Sequence, residues 1–515
     1  MLRTLEPGGW RLPSVAYLHP APRALVAVVA TTAGVVVAVE PVYGLAAVLA
    51  GAFLVVIATR PDWATLASVA ILYSNAAVVA NRIHGVPKPV SHAAALLLVV
   101  ALAHHFGVRH EAILLPPAVP WVVAFLVIQV IGAARADVPA ESLGVVQDFL
   151  TSGLLLFVAF VNAIRVESVL RRTIWILLIV GALLGLLSIH QSATGNYGDD
   201  YLGFAQVSEE SVERLLETLD DEEPSQPRLA GPIGEKNYYA QFMFVLVPLG
   251  LLLFVGHPRR SRRLLALGLS GLILAGGALT ASRGGAIGLA LALVVLTLLR
   301  FVPLRHLLVA VVGIAVVFAS SPRYLDRLAS IGTVTGIVSE DAATGEVDSA
   351  TLGRLGANAA AFQVFVDNPL VGVGPGMFNS HYREYAIEAG LRVHEGERAA
   401  HNIYLHTAAE TGLLGFVALF GAVVVTLRDL VRERRRLLGR HPVLVAILGG
   451  TFGAIVTYLT TGAFLSRSYE RYFWFVLALG AAAAAVAANT DDGDLGVGPA
   501  QAEERSPSSG DAARR

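Results

Sequence analysis

Two arginines lie beside long apolar stretches, where charged side chains are rare and commonly have a functional role. Arg228 opens the segment Arg-Leu-Ala-Gly-Pro-Ile-Gly-Glu-Lys-Asn237, which leads directly into a hydrophobic run. Arg283 lies in the motif Thr-Ala-Ser-Arg-Gly-Gly between two further apolar runs. A guanidinium at membrane depth costs several kcal/mol unless it is paired or faces a wet cavity. Because its planar fork donates hydrogen bonds in pairs, it suits the oxygens of a phosphate group.

Both arginines also have a purely structural interpretation. The Arg228 segment could be a loop in which Asn237 caps the next helix while the arginine reaches the membrane surface. Arg283 could close a hairpin, with Gly284 and Gly288 allowing two helices to pack closely. The sequence leaves the first case open and favours a functional role in the second, because few polar residues surround Arg283.

A glycine-rich block, Asp-Asn-Pro-Leu-Val-Gly-Val-Gly-Pro-Gly, occupies residues 367–376. It follows a helical pattern instead of a strand, and it lacks the βαβ context of a dinucleotide-binding loop. We therefore expect it to end a helix and to turn the chain sharply. The residues given this structural role are Asp367, Gly372, Gly374 and Gly376.

The segment Ala-His-Asn-Ile-Tyr-Leu-His begins at residue 400, and Glu410 follows it. A histidine can exchange a proton near neutral pH, so His401 is a candidate general base that Asn402 or Glu410 could orient. Histidines are more often structural, and this chain has 14. Because Arg228 and Arg283 are predicted on the same membrane face, a chemical role and a structural role for His401 have equal weight. Cations that converge beside a base predict an anionic, phosphate-bearing substrate delivered from the membrane, and no metal cluster is visible in the sequence.

The composition of the chain limits the kind of protein in which these residues are placed. Of the 515 residues, 55% are hydrophobic and only 15% are charged, which excludes a soluble globular protein. The net charge of -1 gives no basis for nucleic acid binding. The absence of cysteine excludes disulfides, thiolate catalysis and cysteine-bound metals.

The hydropathy pattern predicts an all-α, polytopic integral membrane protein with about 12–14 transmembrane helices. Arginine and lysine collect in the connections 257–263 and 428–441, which places these connections and the N-terminus in the cytoplasm. The approximate spans are 24–39, 42–58, 64–80, 91–105, 119–134, 145–165, 173–190, 238–256, 264–281, 284–300, 304–320, 404–427, 443–463 and 471–489.

This topology divides the chain into membrane and extramembrane segments. Residues 1–23 form a cytoplasmic N-terminus, and residues 490–515 form a disordered cytoplasmic tail. The acidic loop 191–236 and the large loop 321–403, which separates late spans, both lie outside the cytoplasm. Transmembrane helices occupy 24–190, 237–320 and 404–489.

Each long loop contains a stretch in which apolar residues recur at helical spacing. The first stretch covers residues 212–219, and the second covers residues 352–366 before Pro369. We expect both to be amphipathic helices, the second lying along the membrane surface.

At these residues the chain resembles the O-antigen ligase and polymerase family of bacterial envelope glycosyltransferases. The resemblance rests on residues 228–237 and 280–285, and on the block that runs from Arg354 through the glycine-rich segment and His401 to Glu-Thr-Gly-Leu-Leu-Gly at 410–415. It covers about residues 145–465, and ligases and polymerases share these motifs, so the acceptor and the glycan cannot be read from them.

The resemblance implies an all-helical membrane enzyme that transfers a glycan from undecaprenyl pyrophosphate to a sugar hydroxyl, without a metal or other cofactor. It implies that His401 is the general base and that Arg283, together with Arg228, holds the donor pyrophosphate. The implied partners are a polyprenyl-pyrophosphate-linked oligosaccharide donor, a glycan or lipid-glycan acceptor and membrane lipids. The implied location is the cell inner membrane. The substrate-binding candidates are Arg228, Asn237, Arg354, Asn402 and Glu410.

Two other kinds of function stay open. Many apolar helices with a buried arginine would suit an anion transporter of the bicarbonate type. The sequence, however, shows no repeat between its halves and no matching broken helices, which transporters of that kind commonly have. A non-catalytic membrane scaffold for polysaccharide assembly would leave Arg283 and His401 without a chemical task.

Overall fold

The computed structural model describes residues 60–87, 93–208, 227–308, 311–312, 349–388, 400–465 and 471–490. In this part of the chain, six helices are long and apolar enough to cross a membrane, and a bent helix pair raises the number to seven. Three shorter apolar helices accompany them. The prediction of an all-α, polytopic membrane protein is confirmed. The predicted spans 24–39 and 42–58 lie outside the described residues.

The helices follow one another in the order of the predicted spans. The first are α1 (Pro61–Tyr73), α2 (Ala76–Arg82), α3 (Ala93–Ala103, continued by the π-helical turn His104–Val108), α4 (Val119–Arg135), α5 (Pro139–Phe149, continued by the π-helical turn Leu150–Leu155), α6 (Leu156–Ala163) and α7 (Glu167–Thr194). The later ones are α8 (Lys236–Phe244), α9 (Val247–Gly256), α10 (Arg260–Ala278), α11 (Arg283–Leu298), α12 (Ser349–Asp367), α13 (Phe378–Glu388), α14 (Ile403–Leu437), α15 (Pro442–Gly462) and α16 (Arg471–Ala488).

The two long loops contain short secondary-structure elements that lie outside the predicted spans. An antiparallel pair of short strands, β1 (Gln206–Val207) and β2 (Leu229–Gly231), joins the two ends of the acidic loop. The amphipathic helix predicted at 212–219 lies outside the described residues. The helix predicted at 352–366 is present as α12, and its placement along the membrane surface stays a prediction.

The helices α8, α9, α15 and α16 form the enclosed centre of the bundle. Glycines let the surrounding helices approach closely. A methyl group on Gly276 of α10 would lie 2.4 Å from the Cα atom of Gly185 in α7. A methyl group on Gly288 of α11 would lie 2.5 Å from the Thr461 side chain of α15. Close packing of this kind holds helices together in lipid, where the hydrophobic effect between them is weak.

The arginine-rich connections gather at one end of the bundle, which we call the basic end. Arg172 of α7 lies 3.7 Å from Asp62 of α1, and Arg165 lies 2.9 Å from Glu111, so the starts of α1 and α7 and the connection between α3 and α4 meet there. Burial and the neighbouring arginines lower the pKa of the His257 imidazole, which is consistent with a strongly positive surface. The residues with candidate chemistry lie at the opposite end, which we call the motif end. Which end faces the cytoplasm stays a prediction.

Candidate functional site

The two arginine motifs meet at one corner of the motif end. Arg228 precedes β2, and its guanidinium donates from Nε to the carbonyl of Thr280 and from Nη2 to the carbonyl of Ala281, both at 2.9 Å. These carbonyls follow the last turn of α10, where backbone oxygens have no helical partner. The fork of Arg228 therefore fixes the chain at the point where it turns from α10 into α11.

Asn237 lies at the same corner. The Ser282 hydroxyl donates a hydrogen bond to Asn237 Oδ1 at 2.9 Å, and Ser282 also caps α11 by accepting from the Gly285 amide. The sequence offered Asn237 as the cap of α8, and this was wrong. Glu235 is the cap, because its carboxylate accepts from the backbone amides of Asn237 and Tyr238. Asn237 is thereby left to join α8 to α11.

The backbone is strained at two positions beside the candidate side chains. Ala281, the second of the two residues whose carbonyls bind Arg228, has φ 51°, and His401 has φ 50°. A left-handed conformation costs a non-glycine residue about 1–2 kcal/mol. Such strain persists only where the surroundings enforce it, and it is common at functional sites.

Arg283 and His401 are brought to one end of the bundle by the last turns of α15. A methyl group on Gly284, next to Arg283, would lie 2.8 Å from the Phe464 side chain just beyond α15. On the His401 side, the Tyr404 hydroxyl donates to the carbonyl of Leu459 at 3.0 Å. The close packing predicted for Gly284 and Gly288 is present, and it leaves the role of Arg283 itself open.

Asn402 has a structural position. Its Oδ1 atom accepts from the amides of Tyr404 at 2.9 Å and Leu405 at 3.2 Å, so it caps α14 immediately after His401. A substrate-binding role for Asn402 and an orienting role towards His401 gain no support from these contacts.

Glu410 was predicted to bind substrate or to orient His401, and both roles stay predictions. The residue is only 1% exposed, inside the bundle. One carboxylate oxygen lies 3.4 Å from His406 Nε2, and the other accepts from the Phe378 amide at 3.4 Å. Because it is enclosed between α14 and the start of α13, its side chain joins these two helices.

The glycine-rich block is paired with a break inside α14. Gly412 has φ 62° and ψ -168°, values outside the helical range, so backbone groups near it lose their helical partners. The block supplies them: the Leu413 amide donates to the Pro369 carbonyl at 2.8 Å, and the Val373 amide donates to the Ala409 carbonyl at 3.1 Å. We call residues 367–376 the glycine turn.

Two glycines make this pairing possible. A methyl group on Gly372 would lie 2.3 Å from the carbonyl carbon of Glu410, and one on Gly412 would lie 2.3 Å from that of Leu370. Real Cβ atoms do not approach other atoms so closely, and both residues have positive φ. The expectation that the block turns the chain sharply agrees with this geometry.

The remaining candidates lie around the turn. Gly374 faces α4, where a methyl group would lie 2.8 Å from Ala136, and the Ser142 hydroxyl donates to the Pro375 carbonyl at 2.8 Å. Gly376 faces Val145. Asp367 is exposed at the end of α12.

Arg354 lies half-buried on α12. Among the described residues, no contact joins Arg354 to Arg228 or Arg283.

One residue at the site was missed by the sequence. Asn75 lies between α1 and α2, which are bent by 55° at this point, and it is only 4% exposed. Its amide nitrogen donates to the Pro232 carbonyl at 2.6 Å, and its oxygen accepts from Arg471 and from the Tyr472 hydroxyl. An asparagine inside an apolar run was the available signal. Its contacts join the broken helix to the segment that carries Arg228.

Comparison with known families agrees with the resemblance seen in the sequence. Residues 269–420 match the family model described as O-antigen ligase, and this region contains Arg283, the glycine turn and His401. The match covers less than a third of the chain, and Arg228 and Asn237 precede it. The similarity to the O-antigen ligase and polymerase family is thereby confirmed for this region. No curated protein matches the chain.

Proposed function

We propose, on the premise that residues 269–420 match the O-antigen ligase family, that this protein transfers a polyprenyl-pyrophosphate-linked glycan to a sugar hydroxyl. A glycan-transferring membrane enzyme is the coarser conclusion that the family match supports. The finer proposal, on donor and chemistry, rests mainly on one observation. Arg228 binds the backbone directly before Arg283, so two motifs that are distant in sequence form one cationic corner.

The corner suits a pyrophosphate donor. Two guanidinium groups and the start of α11, where backbone amides point outwards, favour negative charge. Two nitrogens of Arg228 are used on backbone carbonyls, so its main task is to hold the corner and to add positive charge. Arg283, the first residue of α11, is the group we assign to the phosphate oxygens.

The reaction is a substitution at the anomeric carbon of the donor sugar. The acceptor hydroxyl oxygen forms a bond to this carbon while the bond from the carbon to the pyrophosphate oxygen breaks. His401 takes the hydroxyl proton, and the polyprenyl pyrophosphate leaves with the electron pair. Arg283 stabilises the charge that develops on the departing pyrophosphate.

Reconstitution tests this proposal against its competitors. The full-length protein in liposomes should consume a polyprenyl-pyrophosphate-linked oligosaccharide when an acceptor glycan is supplied. Flux of bicarbonate without glycan consumption would identify a transporter instead. Neither activity, from protein that is folded and inserted, would favour a scaffold. The first result supports the proposal and each of the other two overturns it.

The proposed reaction takes place on the outer face of the cytoplasmic membrane, because the polybasic connections are expected inside. The chain has no cysteine, so single cysteines can be labelled without background. An impermeant thiol reagent added from outside should label Gly198→Cys in the acidic loop but not Leu438→Cys beside the basic cluster. Both positions are exposed. Labelling of Leu438→Cys alone would reverse the topology and remove the motif end from the donor's side.

A further inference from the structure

A polar cleft lies beside the glycine turn, and its lining contains none of the residues of the arginine corner. Its volume is about 310 Å³, and the turn residues 369–373 form its floor. Its polar groups come from the end of α4 and the second residue after it, from the end of α12 and the residue after it, and from the first turn of α13. They are Arg135, Asp137, Asp367, Asn368 and His381.

The cleft has one side chain held in a fixed orientation. His381 Nδ1 lies 3.0 Å from the Met377 carbonyl, and Nε2 lies 3.2 Å from an oxygen of Asp137. Asp137 remains 74% exposed, so the rest of its carboxylate faces the cleft and the solvent. The contact between His381 and Asp137 joins α13 to the segment after α4, so it holds both side chains at defined positions in the cleft.

The chemistry of the cleft differs from that of the arginine corner. Two carboxylates face one guanidinium, so the cleft is unfavourable for a pyrophosphate, which would be repelled. Carboxylate oxygens accept hydrogen bonds from hydroxyls, and the guanidinium and the Asn368 amide donate to hydroxyl oxygens. An uncharged, hydroxyl-rich ligand satisfies both sets. Ligand pockets range over roughly 300–1,000 Å³, so this one accommodates the end of a glycan and not a long chain.

The cleft is mechanically connected to the candidate base. Its floor is hydrogen-bonded to α14 at Ala409 and beyond, and the same helix begins directly after His401 and its cap. Six residues separate Ile403 from Ala409, about 9 Å along a helix axis. The cleft and His401 therefore keep a constant separation at the motif end.

We infer that this cleft binds the acceptor glycan, holding its sugar residues while a terminal hydroxyl reaches His401. The inference rests on the proposed glycan transfer and adds to it the place where the acceptor is recognised. Donor and acceptor are separated by charge: the phosphate-bearing donor binds at the cationic corner, and the uncharged sugars bind at the mixed, net acidic cleft.

Binding of a glycan probe without donor tests the cleft directly. The probe is a neutral oligosaccharide released by mild acid from the envelope polysaccharide of the host bacterium, measured by saturation-transfer NMR on the full-length protein in nanodiscs. Asp137→Asn keeps the side-chain shape and should weaken binding about tenfold, the effect of losing one hydrogen bond to a charged group. Glu384→Gln, also exposed on α13 but outside the cleft lining, is the matched control and should bind like the parent.

Inorganic pyrophosphate should not displace the probe. Unchanged binding by Asp137→Asn, or displacement by pyrophosphate, would overturn the assignment. In transfer assays, Asp137→Asn should raise KM for the acceptor about tenfold, while kcat and KM for the donor stay within about twofold. If the parent transfers no glycan, the proposed function fails, yet the NMR comparison still decides whether the cleft binds sugars.

Discussion

The arginine corner and the glycine turn lie at the same end of the bundle but are held together in different ways. At the corner, side chains make the connections: Arg228 binds two backbone carbonyls and Ser282 binds Asn237. At the turn, backbone binds backbone, and the pairing depends on Gly372 and Gly412 having no side chain.

This difference leads to different expectations for substitutions in the two regions. A side chain at the corner can be exchanged for a similar one without forcing the backbone to move, so the loss of stability should be small, and for Arg283 the effect should be on transfer. Any side chain added at the turn must displace backbone, so its effect should be seen in folding. The two regions therefore predict opposite outcomes for conservative substitutions.

The largest effect is expected from Gly412→Ala. The new methyl group would meet the Leu370 carbonyl carbon at 2.3 Å, at a positive φ that alanine resists. We expect a loss of at least about 3 kcal/mol in unfolding free energy, visible as a fall in Tm in detergent or as loss of inserted protein. Gly268→Ala on α10, where a methyl group meets nothing within 4 Å, is the control and should leave Tm unchanged or raise it.

The next effect concerns the two arginines. Arg283→Lys keeps the charge but loses the fork, so transfer should fall about 10- to 100-fold with Tm unchanged. Arg228→Lys should lower both transfer and Tm, because one ammonium cannot replace bonds to the Thr280 and Ala281 carbonyls. Arg300→Lys, just beyond the far end of α11, is the control. An Arg283→Lys protein as active as the parent would reduce Arg283 to a packing residue.

The smallest effect is expected from Ser282→Ala. It removes the cap of α11 and the bond to Asn237, which should lower the unfolding free energy by about 1 kcal/mol. Thr297→Ala removes a hydroxyl from the same helix without removing a cap, and it should change the unfolding free energy less. Equal losses in the two variants would show that the Ser282 cap does not stabilise the corner.

The positions of the helices were readable from sequence, and most of their contacts were not. Apolar run length identifies spans because a bilayer requires internally satisfied helices of fixed length. The same pattern predicted that the motifs lie at one end of the bundle, because the chain crosses to the opposite end with each span. The breaks at Asn75 and Gly412 were missed, because one polar or flexible residue in an apolar run barely alters its hydropathy.

For the candidate site, the sequence named residues but not the contacts between them. Arg228 and Thr280 are 52 positions apart, and no local pattern says that one binds the other. The alternative in which Asn237 caps α8 was wrong because Glu235 is the cap, and a shift of two residues in a helix start changes which side chain caps it. The burial of Glu410 could not be read from the sequence either, because it depends on the packing of α13 against α14.

The most direct measurement is donor binding and glycan transfer on the same preparation of His401→Asn. Asparagine tolerates the left-handed backbone at this position and cannot act as a base, so the substitution isolates the proton transfer. We predict unchanged Tm, unchanged binding of the polyprenyl-pyrophosphate donor and a fall in transfer of about 10²- to 10⁴-fold. Transfer within twofold of the parent would contradict the proposed role of His401 as the base. Stabilisation of the departing pyrophosphate by arginine would then be the remaining catalytic contribution.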